Sequence, residues 1–208
     1  MYIPKHFLEE DQQKILTFLK QNNFPAIVSF DGRVPIATHA PVEVVENENG
    51  AITVYAHISR ANPQWKTFNN QEILLIFQGA HTYISPRWYN HVNVPTWNYM
   101  MIHVYGRPRI LTGDELYALL SRLVHIHEET TAYSLEGLPQ DLVEKQIKGV
   151  VGLAVEVTRI DAGYKLSQNR NDEDHENIVQ ELDKLGGANS TAVAKAMREK
   201  RGESKQTG

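Results

Sequence analysis

AIVSFDGRVPIATHAPVEVVENENGAITVYAHISRANPQW, residues 26–65, decides the fold. AIVSF and RVPIATHAPVEVV are rich in β-branched and aromatic residues. Asp31-Gly32 between them is a hairpin signal, because tight two-residue turns need the positive φ that glycine adopts freely. The second run closes on ENENG, and AITVYAHI follows as another strand. Together the three runs predict a three-stranded meander.

Working outward, EEDQQKILTFLKQN (9–22) carries Ile15, Leu16, Phe18 and Leu19 on one helical stripe, and NNFP stops it. Downstream, NPQWKTF (62–68) reads as a short helix. EILLIFQGAHTYIS (72–85) reads as a strand buried on both faces. VPTWNYMMIHVYGRPRIL (94–111) is a long strand, with Gly106 and Pro108 suggesting a bulge or bend. GDELYALLSRLVHIHEE (113–129) is a helix with Asp114 as its expected N-cap and an apolar face of Leu116, Leu119, Leu120, Leu123 and Val124. LPQDLVEKQIKG (138–149) is a shorter helix, and VVGLAVEVTRIDAGYKL (150–166) a last strand. Two polar helices, DHENIVQELDKL (174–185) and STAVAKAMREK (190–200), are joined by GGAN, and SKQTG (204–208) is expected to fray. Five or six long strands joined by short turns, without strict βαβ alternation, give an α+β class with an antiparallel β-barrel core and peripheral helices.

The 208 residues allow one large domain or a domain with an appendage, at 41% hydrophobic and 22% charged residues. The absence of cysteine excludes disulfides, thiolate catalysis and Cys-ligated metals. No apolar run approaches the roughly 20 residues of a membrane span, and no secretory signal is visible, so a cytoplasmic location is expected. A net charge of −4 argues against a chain that coats nucleic acid over its whole surface. The charge is uneven near the end, however. Residues 172–183 hold six carboxylates, and residues 195–205 hold Lys195, Arg198, Lys200, Arg201 and Lys205. The plainest reading of that basic end is a solvated terminal helix.

Four stretches are candidate ligand sites. Ser59 and Arg60 lie between a strand and a helix start, where a hydroxyl, a guanidinium and free backbone N–H groups suit an anion. The same residues also suit a capped turn with a solvated Arg. Gln78, in QGAHTYISP, must find partners if buried, from a ligand, the backbone or water. Thr38-His39-Ala40-Pro41 leaves room for something flat against an edge or bulged strand. KLSQNR (165–170), beginning at Lys165, is a dense polar run that also fits an ordinary turn. His125 and His127 do not share a helical face, which disfavours metal. GxSxG, Walker-type and GxGxxG motifs are absent. Trp65, Trp88 and Trp97 read as core and interface.

MYIPKHF at the start, RANPQW (60–65), IFQGAHTYISPRWY (76–89), VPTWNYMMIHVYG (94–106) and KLSQNR (165–170) occur in this order and spacing. Together they closely resemble the PaiB-type family of FMN-binding negative transcriptional regulators of protease production and sporulation. The resemblance covers nearly the whole chain and weakens in the 140s and in the terminal basic helix. It implies an FMN-binding split β-barrel, pyridoxamine-phosphate-oxidase-like, over residues 1–170, with a C-terminal helical extension over 171–208. It further implies a homodimer with FMN at the interface. Ser59 and Arg60 match the first two positions of a Ser-Arg-Lys type phosphate run, and Ala61 replaces the third. By the same resemblance Thr38 and His39 lie along the flavin edge, Gln78 reaches the ring or phosphate, and Lys165 is a basic ligand contact. No residue stands out as catalytic, although His39 and His81 could shuttle protons.

Three functions follow from that resemblance: a flavin-binding regulator of transcription, an FMN-dependent oxidoreductase with an indirect regulatory effect, and a dimeric scaffold without cofactor. No helix-turn-helix pattern is present. If DNA is touched, Lys195, Arg198, Lys200 and Arg201 form the expected patch.

Overall fold

The computed structural model describes residues 1–68 and 71–206, without the side chains of 204–206. Its regular elements are α1 (Gln12–Gln21), β1 (Ala26–Phe30), β2 (Pro35–His39), β3 (Val42–Glu46), β4 (Ile52–Ser59), β5 (Ile73–Ile84), β6 (Thr96–Leu111), α2 (Gly113–His127), α3 (Gln140–Lys148), β7 (Val150–Lys165), α4 (Asp172–Leu185) and α5 (Ala188–Gln206). Seven strands form one sheet in the order β2-β1-β5-β6-β7-β4-β3. The fold class is the expected one, α+β with an antiparallel split β-barrel. By contacts the chain parts into two compact units, one of residues 16–77 and 103–160, the other of residues 1–15, 78–102 and 161–208.

The first unit holds the two hairpins. β1 pairs antiparallel with β2 (Val28 opposite Ala37) and with β5 (Ile27 opposite Leu75). β3 pairs with β4 (Val44 opposite Val54), and β4 with β7 (His57 opposite Gly152). This corrects the meander. Ala40-Pro41 divides RVPIATHAPVEVV into two strands, and these lie at opposite ends of the strand order. The physical reason is Pro41, which has no N–H to continue a ladder. The 72–85 run is likewise not buried on both faces, since over residues 73–77 buried and half-buried positions alternate.

α2 lays Leu116, Leu119 and Leu123 onto Leu111 and Ala154. Its N-cap is Thr112 rather than Asp114, which stands inside the first turn. Contact is close at Gly152, where a Cβ would stand 2.7 Å from Leu116 Cδ1. α3 contributes no buried residue at all.

In the second unit α4 and α5 form a helical hairpin. Ile178, Val179 and Leu182 on one helix and Val193, Ala194 and Met197 on the other are fully buried. α5 begins at Ala188, so GGAN is only partly a link. The backbone of 204–206 continues α5, and the fraying expected of Thr207 and Gly208 falls outside the described residues. The oppositely charged runs noted in the sequence answer each other. Arg198 pairs with Asp183 and Arg201 with Asp172, while Lys200 Nζ reaches buried Glu9 at 2.6 Å. The basic end is therefore a docked helix and not a solvated one. None of the three tryptophans is buried.

Candidate functional site

Ser59 ends β4, and Arg60 follows it out of the sheet. Both are exposed, yet Arg60 is fixed at three atoms. Its backbone N–H donates to Gly149 O (2.8 Å), Nε donates to Lys148 O (2.8 Å) and Nη2 donates to Val150 O (2.9 Å). Nη1 takes no part in these bonds, and the guanidinium plane is held by carbonyls of the α3–β7 junction. Its own carbonyl accepts from Trp65 Nε1 at 3.1 Å. Ser59 Oγ accepts from the N–H of Ala61 at 3.3 Å.

Asn62 caps the 3-10 turn Pro63–Thr67 by accepting from Gln64 N, and its Nδ2 donates to Thr38 Oγ1 at 2.7 Å. That bond brings β2 to the Ser59–Arg60 turn. Gln64, buried within the same turn, donates from Nε2 to Ile27 O (2.8 Å) and to Ser29 Oγ (3.2 Å). His39 follows Thr38 and stacks on exposed Phe24, with ring centroids 6.1 Å apart and planes at 24°. Ser59, Arg60, Thr38 and His39 thus belong to one unit, the first three through direct or one-residue links.

Gln78 and Lys165 belong to the other unit. Gln78 Nε2 is 3.3 Å from His81 Nδ1, whose ring also faces Trp97 at 6.2 Å. Trp97 is half exposed and meets Tyr83 edge-on at 6.0 Å. Half-buried Lys165 donates to Thr96 Oγ1 at 2.5 Å, and its ammonium lies 5.8 Å from the Phe7 ring. Burial, with Arg170 nearby, pushes the lysine below its ordinary pKa.

Sequence reasoning passed over Asn62 and Gln64 as organisers of this region, reading both only as part of the short helix NPQWKTF. An Asn-Pro step after Arg is the available signal for the cap, but nothing local signals the bond to Thr38. It also passed over His57, which alternates with buried residues along β4. Its Nδ1 is buried without a hydrogen-bond partner among the described residues, and burial lowers its pKa from the ordinary 6.5.

Comparison with known proteins decides the family. A family model described as "Putative FMN-binding domain" matches residues 1–159. The chain is 37% identical over 203 residues to protease synthase and sporulation protein PAI 2 of Bacillus subtilis, covering 96% of this chain and 98% of that one. The chain belongs to the PaiB-type FMN-binding family. Among solved structures, this PaiB-type chain is similar to the flavocytochrome Anf3 of Azotobacter vinelandii. Their TM-score is 0.61 at 15% identity, over 84% of this chain and 78% of that one. It is also similar to an FAD and heme binding protein of Mycobacterium smegmatis, with a TM-score of 0.57 at 12% identity over 80% and 77% of the two chains. At such identities the likeness is one of fold. FMN is the cofactor that membership of the PaiB-type family implies, and the donor set at Ser59–Arg60 has the right chemistry for its phosphate: a hydroxyl beside a fixed cation.

Proposed function

We propose that this chain binds FMN through Ser59 and Arg60 and acts as a negative regulator of protease production and sporulation, as a homodimer. One observation carries the flavin part. Arg60 is exposed, but two backbone carbonyls hold its guanidinium in place, so that a phosphate meets a cation already oriented. Ser59 offers a hydroxyl proton to the same anion. Thr38 and His39 supply the flavin edge, with Phe24 and His39 presenting a stacked pair for a planar ring. Gln78 and Lys165 are further contacts by family likeness. When bound, FMN supplies one- or two-electron redox chemistry, and the chain supplies binding, orientation and charge.

An FMN titration followed by flavin fluorescence tests this reading. Saturable binding that weakens in Arg60→Ala is the expected result, and equal affinity in both proteins would remove Arg60 from the site. Light scattering should give about twice the 23.7 kDa chain mass.

A second reading, an FMN-dependent oxidoreductase whose effect on transcription is indirect, is favoured by one observation. Arg198, Lys200 and Arg201 are ion-paired across elements, and Lys195 faces Glu199 within its own helix at 3.9 Å. The expected DNA patch therefore carries partners of its own. Salt-dependent DNA retention that is lost in Lys195→Glu supports direct regulation. Reduction of bound flavin by NAD(P)H without DNA retention supports the oxidoreductase.

A further inference from the structure

We infer that the pocket beneath α2 and α3 is a binding site for an uncharged, mainly apolar small molecule with one hydrogen-bonding group directed to His57. The pocket is formed within one unit and has a volume of about 520 Å³, within the range of small-molecule sites. Leu120, Leu123 and Val124 line it from α2, and Val143 and Ile147 from α3.

Two features set it apart from a packing gap. α3 places Leu142, Val143 and Ile147 on one side of the helix, yet none of its residues is buried. The helix ends where the carbonyls of Lys148, Gly149 and Val150 hold Arg60, and Ile147 packs against the α2 cluster while Leu142 stays exposed, so its apolar side is anchored at one end and open at the other. Additionally, His57 lines the same pocket, and its buried Nδ1 lacks a partner among the described residues. Such an atom costs free energy until it is hydrogen-bonded. A ligand group that reaches this nitrogen removes that cost: a hydroxyl or N–H by donating to it when it is unprotonated, a hydroxyl or carbonyl by accepting from it when it carries the proton.

The chemistry also excludes anions. Glu128 lines the pocket beside His127, and burial keeps the His57 imidazole neutral near pH 7. A carboxylate or phosphate would meet a negative charge and an uncharged ring, so the site is distinct from one built for FMN. Its ligand class is a compact aromatic or aliphatic molecule bearing one polar group.

N-phenyl-1-naphthylamine is a suitable probe, because it is uncharged, carries one N–H and brightens in apolar surroundings. Titrated into the full chain, it should saturate at one per chain, and saturating FMN should leave that stoichiometry unchanged. Val143→Trp fills the pocket and should weaken binding at least about tenfold. His57→Phe keeps the shape and removes the nitrogens, so affinity should fall roughly 3- to 10-fold. Should Val143→Trp fail to fold, His57→Phe decides. The sulfonated analogue 8-anilino-1-naphthalenesulfonate should bind more weakly than the neutral probe. Non-saturable fluorescence, one-for-one displacement by FMN, unchanged affinity in His57→Phe, or a preference for the sulfonate would overturn the assignment.

Discussion

In the proposed flavin site the guanidinium of Arg60 has two tasks that different substitutions separate. Lysine keeps a positive charge for a phosphate but cannot fork to the carbonyls of Lys148 and Val150, whereas alanine loses both functions. Arg60→Ala should weaken FMN binding by about 1.5–3 kcal/mol, roughly 10- to 150-fold, and Arg60→Lys by less. Fluorescence titration of the three proteins gives that order, and a lysine variant as weak as alanine would contradict it. His57 and His175 carry a second prediction. Burial lowers both, helped at His175 by Arg201, so the unfolded chain binds protons that the folded chain refuses. The stability they contribute is fully present above the unfolded value near 6.5 and is lost as pH falls through the lower folded values. Urea midpoints should therefore drop between pH 7.5 and pH 5, less steeply in His57→Phe, and an increase toward pH 5 would reverse the sign. Ser59 and Arg60 are legible as a candidate anion site, because residue type and position carry the signal. The fastening of Arg60 is not, because its acceptors are backbone carbonyls about ninety residues downstream, and every residue has a carbonyl.

Strands and helices were read well wherever periodicity ran unbroken, as in β4, α2 and β7. The reading failed at Ala40-Pro41, where a continuous β-rich composition hid a change of partner strand. The helices α4 and α5 are the expected ones, but their polar average hides the narrow buried seam of Ile178, Leu182, Val193 and Met197 that docks them. β6 carries the prediction at this scale. At Gly106 a Cβ would come within 2.5 Å of Glu156 O on β7, a backbone atom that cannot swing aside. Gly106→Ala should cost about 1–3 kcal/mol, seen as a fall of roughly 2–12 °C in Tm by calorimetry. An unchanged Tm would mean that the ladder yields there freely. Glu9 and Lys200 join α5 to the N-terminal segment, and the Glu9 side chain is only 4% exposed. Lys200→Met takes the cation from that carboxylate, leaving it the bond from Asp11 N, and should lower the unfolding free energy by roughly 1–3 kcal/mol, whereas Glu9→Gln with Lys200→Met together should recover part of the loss. Denaturant titration of the single and double variants measures the difference.

At the scale of the molecule, a net charge of −4 hides a division into acidic and basic runs that neutralise each other within the α4–α5 hairpin. Deleting residues 188–208 therefore exposes the buried side of α4 and removes Met197 from Asn98 Nδ2, 3.4 Å away. That truncated chain should aggregate or lose its cooperative transition on heating, so loss of DNA retention in it would say nothing about DNA. Lys195→Glu, whose weak partner among the described residues lies in the same helix, is the cleaner variant. The long-range pairing of β4 with β7 has a consequence for synthesis on the ribosome. His57 meets Gly152, and Ser59 meets Val150, so one edge of β4 stays open until the chain has grown by some ninety residues. At about 5–20 residues per second the wait is roughly 5–20 s. Throughout it the β3–β4 hairpin offers unpaired N–H and C=O groups to any neighbouring nascent chain, which makes this hairpin the segment where a chaperone has most to protect.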